Sequence, residues 1–111
     1  MLRASRGGGI LSVMSLAEIK KRIRKSAGHL RQTYRVGAVY IFGSFASGEA
    51  TRKSDIDLLV EFTDDSIGMF EFLELKEFLE SLLGRKVDLV TRDALKPWML
   101  AEIERNSIRA A

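Results

Sequence analysis

The chain of 111 residues has no cysteine, one proline, one histidine and one tryptophan. Without cysteine it can form neither disulfides nor thiolate metal sites, which is compatible with an intracellular setting, and we expect a cytoplasmic protein. No apolar run approaches the roughly 20 residues that a membrane-spanning helix needs, so no membrane partner is expected. The single histidine, His29, is predicted to serve packing or the surface. The single tryptophan, Trp98, is predicted to lie in the core or at an interface.

Charge is unevenly distributed, although the net charge is only +3. Residues 1–53 carry +9 and residues 54–111 carry −6. A basic front half could attract a nucleotide, a nucleic acid or an acidic protein, or it could be a solvated helix face with a basic tail. The chain lacks the aromatic clusters on which single-stranded nucleic acids stack. Direct nucleic-acid binding is therefore disfavoured, and would have to use the basic N-terminal half.

The length suits one domain with a modest core. We expect residues 1–14 to form a disordered N-terminal tail, because this stretch contains three consecutive glycines and its apolar part is too short for a signal peptide. Residues 15–111 are expected to form a single domain. Met14 is an alternative start to Met1, since a helix is predicted immediately after it.

Helices and strands are predicted to alternate along the chain. Ser15 and Glu18 form a capping-box pattern, and apolar residues then recur at three- and four-residue steps as far as Tyr34, which predicts one amphipathic helix. The other predicted elements are strands over 38–42, 55–62 and 86–90, a short helix near Ser44, and helices over 69–83 and 93–106. This alternation predicts an α/β domain around a small sheet.

The segment from Gly43 to Asp57 combines two kinds of phosphate-binding group. A Gly43-Ser44 turn follows an apolar run and can present backbone N–H groups and a hydroxyl to a phosphate. After a gap of ten residues, Asp55 and Asp57 open the next predicted strand. Side chains two residues apart on a strand point to the same face, so the carboxylates project together. Such a pair suits Mg²⁺, which prefers oxygen ligands and keeps substrate phosphates in its shell.

A third aspartate, Asp88, lies in the short apolar strand predicted over 86–90. Aspartate is disfavoured inside strands, so the presence of Asp57 and of Asp88 at strand positions requires an explanation. Asp88 could protect an exposed sheet edge, or it could be a third carboxylate of the same site. The alternative for the Asp55 and Asp57 pair is a turn at a strand entrance, and that for Gly43-Ser44 is an ordinary strand-to-helix turn.

Taken together, Gly43-Ser44, the ten-residue gap and Asp55-x-Asp57 resemble the signature of nucleotidyltransferases of the DNA polymerase β superfamily. The resemblance extends over residues 36–105, and Val87-Asp88-Leu89-Val90 agrees with it. The short chain looks like the minimal nucleotidyltransferase branch, the MNT or MntA proteins. This resemblance implies an α/β (α+β) fold in which helices flank a small mixed sheet, not a fully parallel one.

The resemblance also implies a mechanism of nucleotidyl transfer. Two Mg²⁺ ions, held by Asp55, Asp57 and Asp88, bridge the triphosphate of ATP, and Asp88 accepts the proton of the attacking hydroxyl. Gly43 and Ser44 hold the leaving phosphates while the hydroxyl attacks the α-phosphorus and pyrophosphate leaves.

The same family implies a partner. MNT proteins have no large acceptor-binding domain, so the acceptor surface comes from another macromolecule. In prokaryotes they pair with HEPN-domain proteins, the HepT ribonuclease toxins, in toxin–antitoxin modules. The resemblance therefore implies an antitoxin that transfers AMP from ATP to a hydroxyl, typically of a tyrosine, on a HEPN toxin.

Two other functions stay open at this point. The protein could be a binding module that neutralises the toxin sterically, with a vestigial site, although the intact set of glycine, serine and three aspartates argues against lost chemistry. It could instead transfer nucleotides to a small molecule or to RNA. The missing acceptor domain argues against an enzyme that modifies antibiotics on its own.

Overall fold

Five α-helices and four strands are found in residues 14–111, the part of the chain that the computed structural model describes. The elements are α1 (Leu16–Lys25), α2 (Ala27–Tyr34), β1 (Val36–Phe42), α3 (Gly43–Ser47), β2 (Ile56–Phe62), α4 (Met69–Leu83), β3 (Val87–Val90), a 3-10 turn (Arg92–Ala94), α5 (Pro97–Asn106) and β4 (Ile108–Arg109). The tail expected over residues 1–14 lies, except for Met14, outside these described residues.

The four strands form one mixed sheet in the order β3-β2-β1-β4. β1 pairs antiparallel with β2 on one side and with β4 on the other. β2 and β3 pair directly in parallel, and α4 forms the crossover connection between them. The expected α/β fold with a small mixed sheet is therefore confirmed. The parallel pair places the two aspartate-bearing strands side by side.

Helices α1 and α4 supply one face of the core and the strands supply the other. The buried residues of α1 are Ile19 and Ile23, one helical turn apart. Those of α4 follow the same spacing and are Leu75, Leu79 and Leu83. The strands add buried aliphatic residues, which are Val36, Val39, Ile41, Ile56, Leu58, Val60, Val87 and Leu89. Within residues 14–111, no helix is long and apolar enough to cross a bilayer.

The single helix predicted from Ser15 to Tyr34 is wrong, because the structure divides it at Ser26. This residue has φ −97° and ψ 5°, and its N–H points back to the carbonyl oxygens of Arg24 and Ile23. Serine and the nearby Gly28 are weak helix formers, so the chain can turn here at small cost. His29 lies at the surface, as one of the two expected roles has it, and its ring lies 4.8 Å from that of Phe78 and 5.8 Å from that of Tyr34.

The last helix also begins later than predicted, at Pro97 instead of Asp93. The residue before a proline is disfavoured in helical conformation, and Lys96 is accordingly extended, with ψ 151°. Arg92 ties this region together, because it pairs with Glu61 of β2 and Glu104 of α5. Its hydrogen bonds to the two carboxylates raise the pKa of Arg92 above its ordinary value. This double pair anchors α5 beside the sheet.

Candidate active site

Gly43 follows β1 directly, begins α3 and lies against the carboxylate of Asp57 on the neighbouring strand. Its φ of 71° falls in the left-handed region, which other residues adopt only with strain. A Cβ at this position would lie 2.1 Å from Oδ2 of Asp57, far inside van der Waals contact. Glycine is therefore required at position 43 for two reasons: the positive φ of the backbone, and the lack of space for a side chain beside Asp57. The glycine–serine turn and the aspartate pair thus belong to one site.

The three aspartates lie at the same end of the neighbouring parallel strands β2 and β3. Asp57 of β2 lies directly beside Asp88 of β3 in the parallel register, and paired residues of neighbouring strands project from the same face. Asp55 immediately precedes β2, two residues from Asp57. The side chains of Asp55 and Asp88 are exposed, whereas Asp57 is half-buried. The outer carboxylates therefore remain open to a ligand.

The electrostatics agree with this arrangement. Burial, then the negative charge of Asp88 and then that of Asp55 raise the pKa of Asp57 from 3.8 to about 6. A carboxylate that is partly desolvated and faces two like charges favours protonation or a neutralising cation. Of the three carboxylates, Asp57 is thus the one whose negative charge is opposed by burial and by both of the other two.

The donor chemistry of this group fits a hard divalent cation. All three residues offer carboxylate oxygens, and two of them are exposed. Over residues 14–111, however, no three metal-binding side chains are gathered tightly enough to form a ready-made cation cluster. The repulsion that raises the pKa of Asp57 also opposes such gathering. The donor set fits Mg²⁺, while the close ligand geometry expected from the sequence stays a prediction.

Ser44 is the second residue of α3 and is half-buried. The helix begins after an extended Phe42, and no side chain caps its first N–H groups. These early N–H groups have no partner within a helix, so they are available to an anion together with the serine hydroxyl. The short helix ends at Gly48, whose φ is 83°. A phosphate contact by Gly43 and Ser44 is compatible with this geometry and stays a prediction.

A groove of about 520 Å³ opens beside this turn, between α3 and α5. Gly43 and Ser44 form part of one wall and Trp98 part of the other. Trp98 is 66% exposed, so the expectation that it lies in the core is wrong. The alternative, a role at an interface, stays a prediction.

Comparison with known proteins identifies the family. The nucleotidyltransferase domain family matches residues 20–111, which include all the residues of this site. The chain belongs to that family. A candidate protein adenylyltransferase of Methanocaldococcus jannaschii, MJ1379, is 44% identical over 96 residues, which are 85% of this chain and 96% of the relative. The protein adenylyltransferase MntA of Thermococcus cleftensis is 35% identical over 98 residues, which are 88% and 98% of the two chains.

A solved structure supports the same assignment of this nucleotidyltransferase. It is a toxin–antitoxin complex with AMP-PNP, whose matching chain is 27% identical with a TM-score of 0.67. The match covers 83% of this chain and 72% of the other. The resemblance to minimal, MntA-like nucleotidyltransferases is therefore confirmed, and the chain is an enzyme of the nucleotidyltransferase class.

Beside the candidate site lies one residue whose contacts were not predicted from the sequence. Arg85, between α4 and β3, donates hydrogen bonds to the carbonyl oxygens of Arg52 and Ser54 at 2.7 and 2.8 Å. These carbonyls belong to the loop that leads into Asp55. No local pattern marks such a contact, because it joins residues about 30 positions apart and ends on backbone atoms. The only signal in the sequence is that Arg85 is a basic residue close to the strand that carries Asp88.

Proposed function

We propose that this nucleotidyltransferase is the antitoxin of a HEPN toxin and transfers AMP from ATP to a hydroxyl of that toxin, a tyrosine hydroxyl in particular. The observation that carries the proposal is the contact between the Gly43 turn and Asp57, with Asp88 alongside. This contact brings the turn that we propose to bind phosphate against a group of carboxylates. The relatives support it, since one is named MntA and another forms part of a toxin–antitoxin complex.

In this proposal the turn binds the end of the triphosphate. The N–H groups at Gly43 and the hydroxyl of Ser44 donate hydrogen bonds to the β- and γ-phosphates. Positive φ at Gly43 turns the backbone at the start of α3, where the first N–H groups have no partner within the helix and can face an anion. The turn thereby holds the pyrophosphate that will leave.

The carboxylates of Asp55, Asp57 and Asp88 would hold Mg²⁺, which supplies charge neutralisation at the transferred and leaving groups when bound. Asp88 is exposed at the sheet edge, where an acceptor hydroxyl can reach it. The hydroxyl oxygen forms a bond to the α-phosphorus, the bond to the pyrophosphate oxygen breaks, and Asp88 accepts the hydroxyl proton. The products are an AMP–tyrosine ester and pyrophosphate.

The proposal is tested with Asp55→Asn/Asp57→Asn, which removes two charges and little volume. The double variant and the wild type are each co-expressed with a HEPN toxin, and growth and the intact mass of the toxin are measured. We expect the wild type to add AMP and protect cells. The double variant should fold but add no AMP and protect poorly, because an amide cannot compensate a cation as a carboxylate does.

A matched control is Asp65→Asn, which removes an exposed carboxylate from the turn after β2. It should leave AMP transfer and protection at wild-type levels. If cells are protected in full by every version while the toxin never gains mass, the protein acts by steric masking and the proposed transfer is wrong. If mass is gained on RNA or on a small molecule instead of the toxin, the proposed acceptor is wrong.

A further inference from the structure

Asp55 is the only site carboxylate that lies outside a regular element, since Asp57 and Asp88 are held by the sheet. It follows an exposed loop in which Thr51 N donates to Ser54 Oγ at 2.8 Å and Ser54 N donates to Thr51 O at 3.0 Å. These bonds close the loop on itself but do not attach it to the rest of the domain. The direction of the Asp55 side chain therefore depends on what ties the loop to the sheet.

Two successive residues provide that tie, one on each side of Asp55. The guanidinium of Arg85 donates to the carbonyl oxygen of Ser54, the residue before Asp55. The carbonyl oxygen of Lys86 accepts from the N–H of Ile56, the residue after Asp55, at 2.9 Å. Asp55 is thus bracketed by contacts from the segment that leads into β3 and Asp88.

The bracketing segment is itself firmly anchored. Gly84 ends α4 with φ 65°, and its N–H donates to the carbonyl oxygen of Glu80. The side chain of Glu80 also accepts from the N–H of Val87 at 3.0 Å, which fixes the first residue of β3. Arg85 therefore extends from a turn that is hydrogen-bonded to α4 on both sides, at Gly84 and at Val87.

Arg85 also contacts the third part of the site. Its guanidinium carbon lies 5.6 Å from the centre of the Phe45 ring, within range of a cation–π contact. Phe45 follows Ser44 in α3 and is buried, with 4% exposure. The side chain of Arg85 thus connects the helix α3, which begins with Gly43 and Ser44, to the loop before Asp55 and to the segment that leads into the strand of Asp88.

We propose that Arg85 is a positioning residue that aligns Asp55 with Asp57, Asp88 and the Gly43-Ser44 turn. It acts through the backbone of the loop and through Phe45, because both of its hydrogen bonds end on carbonyl oxygens. Nη1 donates both hydrogen bonds, and the planar guanidinium lies over the Phe45 ring at the same time. A lysine ammonium could donate to the carbonyls but, being a compact point charge, would not reproduce the stacked contact with the ring. Its role in the chemistry rests on the proposed function, whereas its role in ordering the loop does not.

The test compares the wild type with Arg85→Met and Arg85→Lys. Hydrogen exchange of the Ser54 and Ile56 amides is measured without nucleotide, and binding of Mn²⁺ with ATP is measured by calorimetry. In Arg85→Met we expect faster exchange at both amides and an affinity for Mn²⁺-ATP about 10- to 100-fold weaker, the usual loss when a partner that orients a ligand is removed. Arg85→Lys should recover part of both effects.

Arg22→Met is the matched control, because Arg22 also donates to a backbone carbonyl, that of Leu82 at 3.2 Å, but away from the site. It should affect thermal unfolding without changing exchange at Ser54 or binding of Mn²⁺-ATP. Wild-type exchange and affinity in Arg85→Met, or equal losses in Arg22→Met, would overturn the role of Arg85. If the wild type itself binds no Mn²⁺-ATP, the proposed function fails, and the exchange comparison still decides whether Arg85 orders the loop.

Discussion

At the scale of single residues, Gly43 and Asp57 depend on each other. The carboxylate of Asp57 occupies the place that a side chain at position 43 would need. The glycine in turn leaves that carboxylate half-buried, beside two further negative charges. The proposed role of Asp57 and the stability of the fold therefore oppose each other, since the charge that would bind a cation destabilises the folded state when no cation is present.

A pH-dependent stability of the folded state follows from the raised pKa of Asp57. The folded protein binds more protons than the unfolded one between pH 3.8 and about 6, so the free energy of unfolding falls as the pH rises through this window. Asp57→Asn has no proton to lose and escapes this penalty. At neutral pH, without divalent cations, it should be more stable than the wild type by about 1 kcal/mol, after discounting for solvent screening.

Urea unfolding of both proteins across this pH window checks the expectation. The advantage of Asp57→Asn should shrink towards the acidic end, where the wild-type carboxyl is protonated. Addition of Mg²⁺ should stabilise the wild type more than the variant. A constant difference between the two proteins at every pH would contradict the assigned cause.

At the scale of elements, two glycines at helix ends form a natural comparison. Gly43 begins α3 and Gly84 ends α4, with φ values of 71° and 65°. A Cβ at Gly84 would meet nothing within 4 Å, whereas one at Gly43 would clash with Asp57. Gly84→Ala should therefore cost about 1 kcal/mol of strain, and Gly43→Ala should cost distinctly more and abolish ATP binding. Thermal unfolding and calorimetry of the two variants measure this, and equal costs would contradict the clash.

Some helices and strands could be predicted from the sequence, and others could not. Periodicity correctly predicted the helix over 69–83, because leucines one turn apart pack on the sheet. It missed the division at Ser26, since Ile23 and Leu30 face the core on either side of the break and keep the apolar pattern intact. The strand Ile108–Arg109 has only two residues, too few for a periodic signal, and forms because β1 offers it an edge.

At the scale of the whole molecule, the sequence identified the residues of the candidate site, but local sequence patterns could not show how the fold arranges them. The sequence marks Asp57 and Asp88 as unusual strand residues, yet only the parallel register of β2 and β3 makes them neighbours. Such pairing depends on strand order, which local patterns do not determine. The contacts of Arg85 are unpredictable for the same reason, since they join an α4–β3 turn to a distant loop.

The topology has a consequence for the rates of folding and unfolding. β1 and β2 are antiparallel neighbours close in sequence, whereas β3 joins β2 only after the crossover through α4. Contacts that close longer loops are slow to form, so β3 is expected to dock after the folding barrier has been crossed. The repulsion between Asp57 and Asp88 then arises late, on the unfolding side of that barrier.

Asp88→Asn should therefore slow unfolding, by about fivefold if it relieves 1 kcal/mol, and leave the folding rate unchanged. Stopped-flow kinetics against urea concentration, without divalent cations, measures both rates. Faster folding of Asp88→Asn than of the wild type would mean that the carboxylates of Asp57 and Asp88 already lie close together in the transition state. If only unfolding slows, the aspartate-bearing strands β2 and β3 pair after the folding barrier and separate before the unfolding barrier, and a cation bound between their carboxylates would prolong the lifetime of the folded enzyme.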